Sequence, residues 1–237
     1  MTKRILLLLT LILHSSLFTL HSQSLSDVFT AMPDSIYPLL TAKNRKDMVD
    51  FYNNKMEAKV RNRLNDYARL DTLTNQYLHL TPSPSSEVVM RLLETSDSTM
   101  LICLVQTVTK PIRDSRVKFY DSQWRQLSSV SLPTPATADF FSNQPLPPTG
   151  GDGGGLEEAE DSAPLPDREG QGESLLLLAQ RSIDDLRLVD IAVSPDEPVF
   201  TLTLSVDELA QDEKKVARKY VVPVRYRWTG ISFVPCL

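Results

Sequence analysis

One histidine, two cysteines and several acidic pairs are the side chains of this sequence that could perform chemistry. His14 and His21 lie in an N-terminal segment with the pattern of a removable leader, which leaves His79 as the single imidazole of the remaining chain. A zinc site built on several imidazoles, or the two-histidine helix of a metalloprotease, cannot be assembled from one histidine. A serine or cysteine nucleophile would have to use His79 as its base. In "NQYLHLTP", strand alternation puts Tyr77 and His79 on one face, so we interpret His79 as an outward-facing strand residue.

The two cysteines offer little reactivity. Cys103 falls in "TMLICLVQTV", an apolar run that is typical of a buried central strand. A desolvated thiol is inert because burial disfavours the thiolate that acts as the nucleophile. Cys236 is the penultimate residue. Two cysteines in an exported protein could pair, and the sequence leaves this pairing open.

The acidic residues do not identify an acid–base pair. Asp47 and Asp50, in "MPDSIYPLLTAKNRKDMVDFY", would have to converge in a cleft to work as acid and base. As residues i and i+3 of a predicted amphipathic helix they are better interpreted as solvated. A carboxylate-based hydrolase acting on an envelope or glycan substrate needs two acids at a defined separation, and it remains the alternative function. We therefore assign no catalytic, cofactor-binding or metal-binding residues, and we predict no cofactor.

The first residues predict export. Lys3 and Arg4 precede the mostly apolar run of residues 5–13, and small and polar residues continue to Ser22. This order is typical of a secretory signal peptide, which we place at residues 1–22. The run is far shorter than the ~20 residues that span a bilayer, so we expect no transmembrane span after cleavage and a periplasmic or extracellular protein. Loss of two basic residues changes the net charge from −5 to −7, and this acidic chain gives no indication of a nucleic-acid partner.

A change in composition predicts an insert over residues 141–172. Seven of the eight glycines lie between 150 and 172, and the stretch is strongly acidic and rich in proline. Such a composition cannot bury enough apolar surface to offset the entropy of ordering, so we expect a flexible segment. The glycine run "GGDGGG" lacks the lysine of a phosphate-binding loop, and "DGGGLEEAED" lacks the ligand spacing of a calcium loop.

Before the insert, residues 23–140 show two helical patterns followed by strands. The first helix covers "SLSDVFTAM", with Ser24 and Asp27 as a capping pair. The second covers residues 45–59, with Asn44 as N-cap and Asp47 at the third position. Its core stripe consists of Met48, Phe51, Tyr52 and Met56. Strands are predicted at 73–80, 86–94, 99–109 and 115–127, with a turn at Asp121 and Ser122 inside the last.

After the insert, residues 173–237 repeat this order. A helix at 173–185 leads to strands at 187–194 and 198–205, and a hairpin with its turn at Thr229-Gly230 closes the chain. Between them, Ser205 and Glu208 form a predicted capping box, with Leu204 and Leu209 as its hydrophobic staple. Helices segregated from an antiparallel sheet predict an α+β fold, compatible with two helix-plus-four-strand halves that form one compact domain.

Several stretches resemble a family of exported proteins of unknown function from Bacteroidales-type bacteria. The resemblance rests on "DVFTAMPDSIYPLLTAKNRKDMVDFYNNKM", "LTPSPSSEVVMRLL", "RDSRVKFYDSQW" and "LTLSVDELAQDEKK". This chain departs from the family pattern at Lys43-Asn44-Arg45 and in its longer acidic insert. The resemblance implies an envelope location and a compact α+β fold, and it transfers no catalytic residue.

These observations favour a non-enzymatic exported binding protein over an enzyme. Basic residues cluster in residues 43–63 and again in residues 214–227. Either run could be an ordinary solvated face or a surface for an anionic partner. We expect the partner to be an envelope protein or an anionic envelope polymer.

Overall fold

The computed structural model describes residues 24–141 and 168–236, with the backbone alone for residues 168–174. The predicted signal peptide and most of the predicted insert therefore lie outside the described residues. The described ranges contain four α-helices, a short 3-10 helix and ten strands in two antiparallel sheets.

Two helices precede the first sheet. Helix α1 (Leu25–Ala31) begins at Ser24, whose Oγ accepts a hydrogen bond from the backbone N–H of Asp27 at 3.3 Å, as predicted. Helix α2 (Ala42–Asn53) begins earlier than predicted and ends six residues earlier. Its N-cap is Thr41 rather than Asn44. Asn44 is instead the third residue of a capping box, in which its Oδ1 accepts from the backbone N–H of Thr41 at 3.1 Å.

The predicted core stripe of α2 is only partly correct. Met48 is fully buried, and Phe51 and Tyr52 pack at the margin of the core. Met56 lies beyond the end of the helix, and 58% of its side chain is exposed.

The first sheet has six strands in the order of the chain, each antiparallel to the next, instead of the four that were predicted. The missed strands lie within 59–73, a polar stretch in which Val60, Ala68 and Leu70 are buried in the core and Leu73 packs at its margin. The last strand ends at Tyr120 and not at 127, and the predicted turn at Asp121 follows it, where Asp121 Oδ1 accepts two backbone N–H groups. The strands are β1 (Lys59–Arg61), β2 (Tyr67–Leu73), β3 (Tyr77–Ser83), β4 (Ser86–Glu94), β5 (Met100–Val108) and β6 (Asp114–Tyr120).

The second sheet has four strands, also in the order of the chain. At the predicted hairpin turn, the backbone N–H of Thr229 donates to the carbonyl of Ser232 at 3.0 Å, and Gly230 has a φ of 92°, which favours glycine. The strands are β7 (Val189–Val193), β8 (Val199–Leu204), β9 (Val224–Trp228) and β10 (Phe233–Pro235).

Two further helices flank this sheet. Helix α3 (Arg168–Asp185) begins five residues before the predicted start, inside the predicted insert. Helix α4 (Gln211–Tyr220) begins after Ala210, so the predicted capping box of Ser205 and Glu208 is wrong. The Ser205 hydroxyl donates instead to the backbone carbonyl of Arg113 at 2.6 Å. None of the helices in the described ranges is long and apolar enough to cross a bilayer.

The first sheet is covered on one face by helices and on part of the other face by the second sheet. Helices α1 and α2 cover one face, and we call the apolar residues between them the helix-side core. The second sheet packs on the other face, and we call that apolar layer the inter-sheet core. At its centre, the ring of Phe233 lies 5.0 Å from that of Phe200 and 5.6 Å from that of Phe119.

Polar contacts add to the junction of the two sheets. Arg113 binds Glu87 of the first sheet at 2.9 Å and Asp190 of the second sheet at 2.8 Å. The α+β fold with antiparallel sheets and separate helices is thus confirmed. The two segments differ, however, since the first contributes six strands and the second contributes four.

Candidate functional site

His79 lies half-buried on β3 beside the carboxylate of Asp71. Its Nδ1 is 3.7 Å from Oδ2 of Asp71, and the hydroxyl of Thr81 donates to the same carboxylate oxygen at 2.7 Å. The hydroxyl thus bonds to the carboxylate and not to the imidazole, which is not the arrangement of a nucleophile and its base. Tyr77 was predicted to face outward with His79. It is buried instead, because the inter-sheet core covers this end of the strand.

Both cysteines are free thiols, which answers the question of their pairing. Cys103 is 0% exposed in the inter-sheet core, and burial raises the pKa of its thiol. This confirms the predicted buried strand position, and a thiol in this environment is a poor nucleophile.

The acidic pair on α2 does not converge. Asp47 binds Nζ of Lys43 at 2.6 Å, and Asp50 is exposed. Within residues 24–141 and 168–236, no group of three or more His, Cys, Asp or Glu side chains is placed to hold a metal ion.

The first basic run does not form one surface, because Arg45 is 0% exposed. Its guanidinium donates to the carbonyl of Phe29 at 3.0 Å, to that of Leu40 at 2.6 Å, and to that of Met32. Arg45 therefore ties the end of α1 and the loop after it to α2. The interpretation of the whole run as a solvated face or a binding surface is therefore wrong for Arg45.

A basic patch does form on β1 and β2, and it consists of Lys59, Arg61, Tyr67 and Arg69. The sheet register pairs Lys59 with Arg69 and Arg61 with Tyr67, so all four side chains share one face. Nζ of Lys59 lies 4.5 Å from the centroid of the Tyr67 ring, and Cζ of Arg61 lies 5.0 Å from it. Both are cation–π distances.

The basic patch is exposed because of strand alternation. Val60 and Ala68 point into the helix-side core, so the patch residues point to the opposite face. The second sheet covers that face mainly over β4 to β6, and 47% of Tyr67 remains exposed. Sequence reasoning missed Tyr67 and Arg69 because it did not predict β2, although the alternating pattern of "YARLDTL" was a usable signal.

The second basic run is divided between two elements. On α4, Lys214 and Arg218 bind Asp207 at 3.8 and 2.7 Å. On β9, Arg227 binds Glu197. These pairs neutralise part of the run, so it presents less free charge than its sequence suggests.

The described part of the chain contains two notable cavities. One, of about 330 Å³, lies between the turns that follow β4 and β9, and Glu94 is its single acidic lining residue. The other, of about 210 Å³, lies beside β6 and β7 and has no acidic lining residue. Neither cavity therefore offers the two carboxylates that hydrolysis of a glycoside requires.

Comparisons with known proteins identify a family and a structural neighbour, both without an assigned activity. Residues 17–149 match the model of a family described as "Protein of unknown function (DUF3256)". The chain is also similar to a solved structure described as "Structure of a domain of an uncharacterized protein from Porphyromonas gingivalis W83". The two share 25% sequence identity and a TM-score of 0.66, and the match covers 90% of this chain and 98% of that one. No curated protein matches the chain.

Proposed function

The chain belongs to the DUF3256 family of proteins of unknown function, and from this premise we propose that it is an exported, non-enzymatic binding protein. The resemblance seen in the sequence to a family of unknown function is confirmed. Export remains a prediction from residues 1–22, whose pattern is that of a signal peptide.

Three observations support binding over catalysis. His79 lies beside the carboxylate of Asp71, Cys103 is buried, and neither described cavity brings two carboxylates together. The basic patch adds a positive argument for binding. It presents cations and an aromatic ring on one exposed face in a fixed register, which suits recognition of a partner better than catalysis.

The basic patch carries the proposal. Lysine and arginine side chains that stand on a rigid sheet attract phosphate or carboxylate groups, and an exposed tyrosine ring offers a flat apolar surface to a sugar. We therefore propose an anionic envelope polysaccharide, such as a phosphorylated lipid-linked sugar polymer, as the partner. Lys59 and Arg69 also have acidic neighbours at Glu57 and Asp71, which would moderate the affinity.

Charge reversal on the patch tests this proposal. The double variant Lys59→Glu with Arg61→Glu should lose retention on heparin resin at low salt, and Tyr67→Ala should weaken retention without a change in net charge. The retention of the unaltered protein should fall as salt rises from about 0.05 to about 0.3 M, because the screening length of charge interactions becomes shorter over this range.

A matched control lies at the other edge of the first sheet. Arg116 and Lys118 are exposed on β6, and Arg116→Glu with Lys118→Glu makes the same change in residue types and net charge on the opposite edge strand. Equal losses in both double variants would mean that retention follows net charge alone and would contradict the patch. Tighter binding to an acidic protein than to heparin would instead point to an envelope protein as the partner. Circular dichroism would verify that each variant is folded.

A further inference from the structure

Arg91 is a charged residue inside the inter-sheet core. It lies on β4 between Val89 and Leu93, on the face that the second sheet covers, and its cross-strand neighbours are Tyr77 and Cys103. Only 2% of Arg91 is exposed. An arginine is almost never buried in this way unless its charge is paired.

The hydrogen bonds of Arg91 are incomplete among the described residues. Its Nη1 donates to the carbonyl of Ser194, whereas its Nε is buried with no acceptor. No carboxylate of the described ranges forms a salt bridge with it. Burial lowers its pKa, and the phenol of Tyr77 and the carboxylate of Asp196 oppose this shift. The guanidinium nevertheless remains a cation at neutral pH.

The other two arginines at buried or sheet-junction positions have the partners that Arg91 lacks. Arg45 donates to three backbone carbonyls, and Arg113 binds two carboxylates. A buried charge that lacks a counter-charge is costly, so a protein that keeps one usually has a use for it.

Arg91 lines the larger cavity, of about 330 Å³. This volume lies at the lower end of the ~300–1,000 Å³ that is usual for small-molecule sites. Trp228 and Pro198 give the lining apolar surface, whereas the side chain of Leu92, which also borders the cavity, lies in the helix-side core. The other lining residues are mostly polar: Gln76, Glu94, Thr95, Ser96, Thr229 and Gly230.

We propose that this cavity binds the carboxylate of an organic acid, with Arg91 as the residue that receives it. A guanidinium presents paired N–H donors that match the two oxygens of a carboxylate, and the apolar wall would hold the rest of the ligand. Among the described lining residues Arg91 is the single cation and Glu94 the single acid. The carboxylates of Asp196 and Glu197, in the turn between β7 and β8, also attract the charge of Arg91. This balance favours a monoanion over a phosphate dianion.

The carboxylate could come from a free small acid or from the C-terminus of a peptide. Both present the same group, and the size of the cavity admits either. The site is separate from the basic patch on β1 and β2, so the proposal does not depend on the polysaccharide.

Nuclear magnetic resonance of the ¹⁵N-labelled chain from residue 23 tests the proposal through Trp228. The sequence has two tryptophans, and Trp124→Phe would assign the two indole N–H resonances. The probes are acetate, benzoate and an acetylated dipeptide that ends in phenylalanine. The corresponding amide of each probe is its control, and inorganic phosphate is tested as a competing anion. We expect at least one carboxylate to shift the Trp228 resonance saturably below about 0.1 M, where the screening length is still ~10 Å. Its matched amide should not.

Substitutions connect the binding to Arg91. Arg91→Lys keeps the charge but not the planar fork and should weaken the binding by about tenfold or more, and Arg91→Gln should abolish it. Should Arg91→Gln fail to fold, Ser96→Tyr, which keeps Arg91 and adds a bulky side chain to the lining of the cavity, should also prevent the binding. Ser85→Tyr, at the β3–β4 turn and outside the cavity, is its control.

The arms of this experiment have distinct meanings. Response to the peptide alone would identify a chain terminus as the source of the carboxylate, and response to benzoate or acetate would identify a free acid. The proposal is overturned if no carboxylate shifts Trp228 saturably, if the amides act equally well, if phosphate binds more tightly, or if Ser96→Tyr leaves the binding unchanged.

Discussion

At the scale of single residues, buried arginines differ in what surrounds them. Arg45 donates to the carbonyls of Phe29, Met32 and Leu40, and its Nη2 lies 3.1 Å from Oδ1 of Asp34. Carbonyls at a helix end and in a loop need such donors when they are buried. Arg45 thus acts as a structural element in place of a regular turn.

Replacement of Arg45 by methionine should therefore destabilise the protein strongly. The loss of this buried cation leaves three carbonyls without their donor, and we expect the free energy of unfolding to fall by about 3–5 kcal/mol. Lys46→Met, at the exposed neighbouring position, should change it by less than about 0.5 kcal/mol. Urea denaturation followed by circular dichroism measures both. Equal, small effects would mean that Arg45 contributes nothing beyond its hydrocarbon chain.

The sequence could not distinguish Arg45 from its neighbours. Charge runs indicate a solvated surface on average, and the run of residues 43–63 contains both exposed and buried cations. Cys103 was easier to predict, because an apolar run on both sides of it is typical of a strand that is buried on both faces. Arg91 was missed since it interrupts "SEVVMRLLE" only once, and a single charge does not reveal whether it has a partner.

At the scale of elements, helix starts were the least predictable feature. The segments "TAKN" and "NRKD" both offer a polar residue followed by another three positions later. The structure uses Thr41 and Asn44, because Leu40 before them is buried and fixes where the chain enters the helix. Similarly, Ser205 bonds to the carbonyl of Arg113, and this tertiary contact prevails over its local capping pattern.

Stability measurements would separate the real cap from the apparent one. Thr41→Ala should lower the free energy of unfolding by about 1 kcal/mol, because the backbone N–H of Asn44 loses its acceptor. Glu208→Ala should have no capping effect and stay within about 0.5 kcal/mol of the unaltered protein. A loss in Glu208→Ala as large as that in Thr41→Ala would contradict the helix start at Gln211.

At the scale of the whole molecule, the six-stranded sheet is the central layer between two cores. The α+β class followed from segregated helix and strand patterns, so it was accessible from the sequence. The sequence did not reveal which side chains of each strand point to which core. Strands β3 to β5 are apolar on both faces, so they lack the alternation that would orient them. The basic patch and the cavity depend on these orientations. The patch lies on β1 and β2, beyond the cover of the second sheet, and the cavity lies between the two sheets.

The order of the strands has a consequence for how the chain folds. Every strand pairs with a neighbour in sequence, so each sheet can form from local contacts at a small entropic cost. The contacts between sheets are distant along the chain, as in the bond from Nε1 of Trp228 to the carbonyl of Glu94, 134 residues away. We therefore expect the sheets to form first and to dock later.

The two tryptophans can report these steps separately. Trp124 packs against Tyr120 in the helix-side core, and Trp228 lies in the inter-sheet core. In stopped-flow refolding of Trp124→Phe and Trp228→Phe, the fluorescence of Trp124 should recover before that of Trp228, and a single common rate would contradict late docking. Until docking, the inner face of the first sheet is open to water and prone to aggregation. A solvated Arg91 at the middle of that face would then act as a gatekeeper that keeps the half-folded chain in solution.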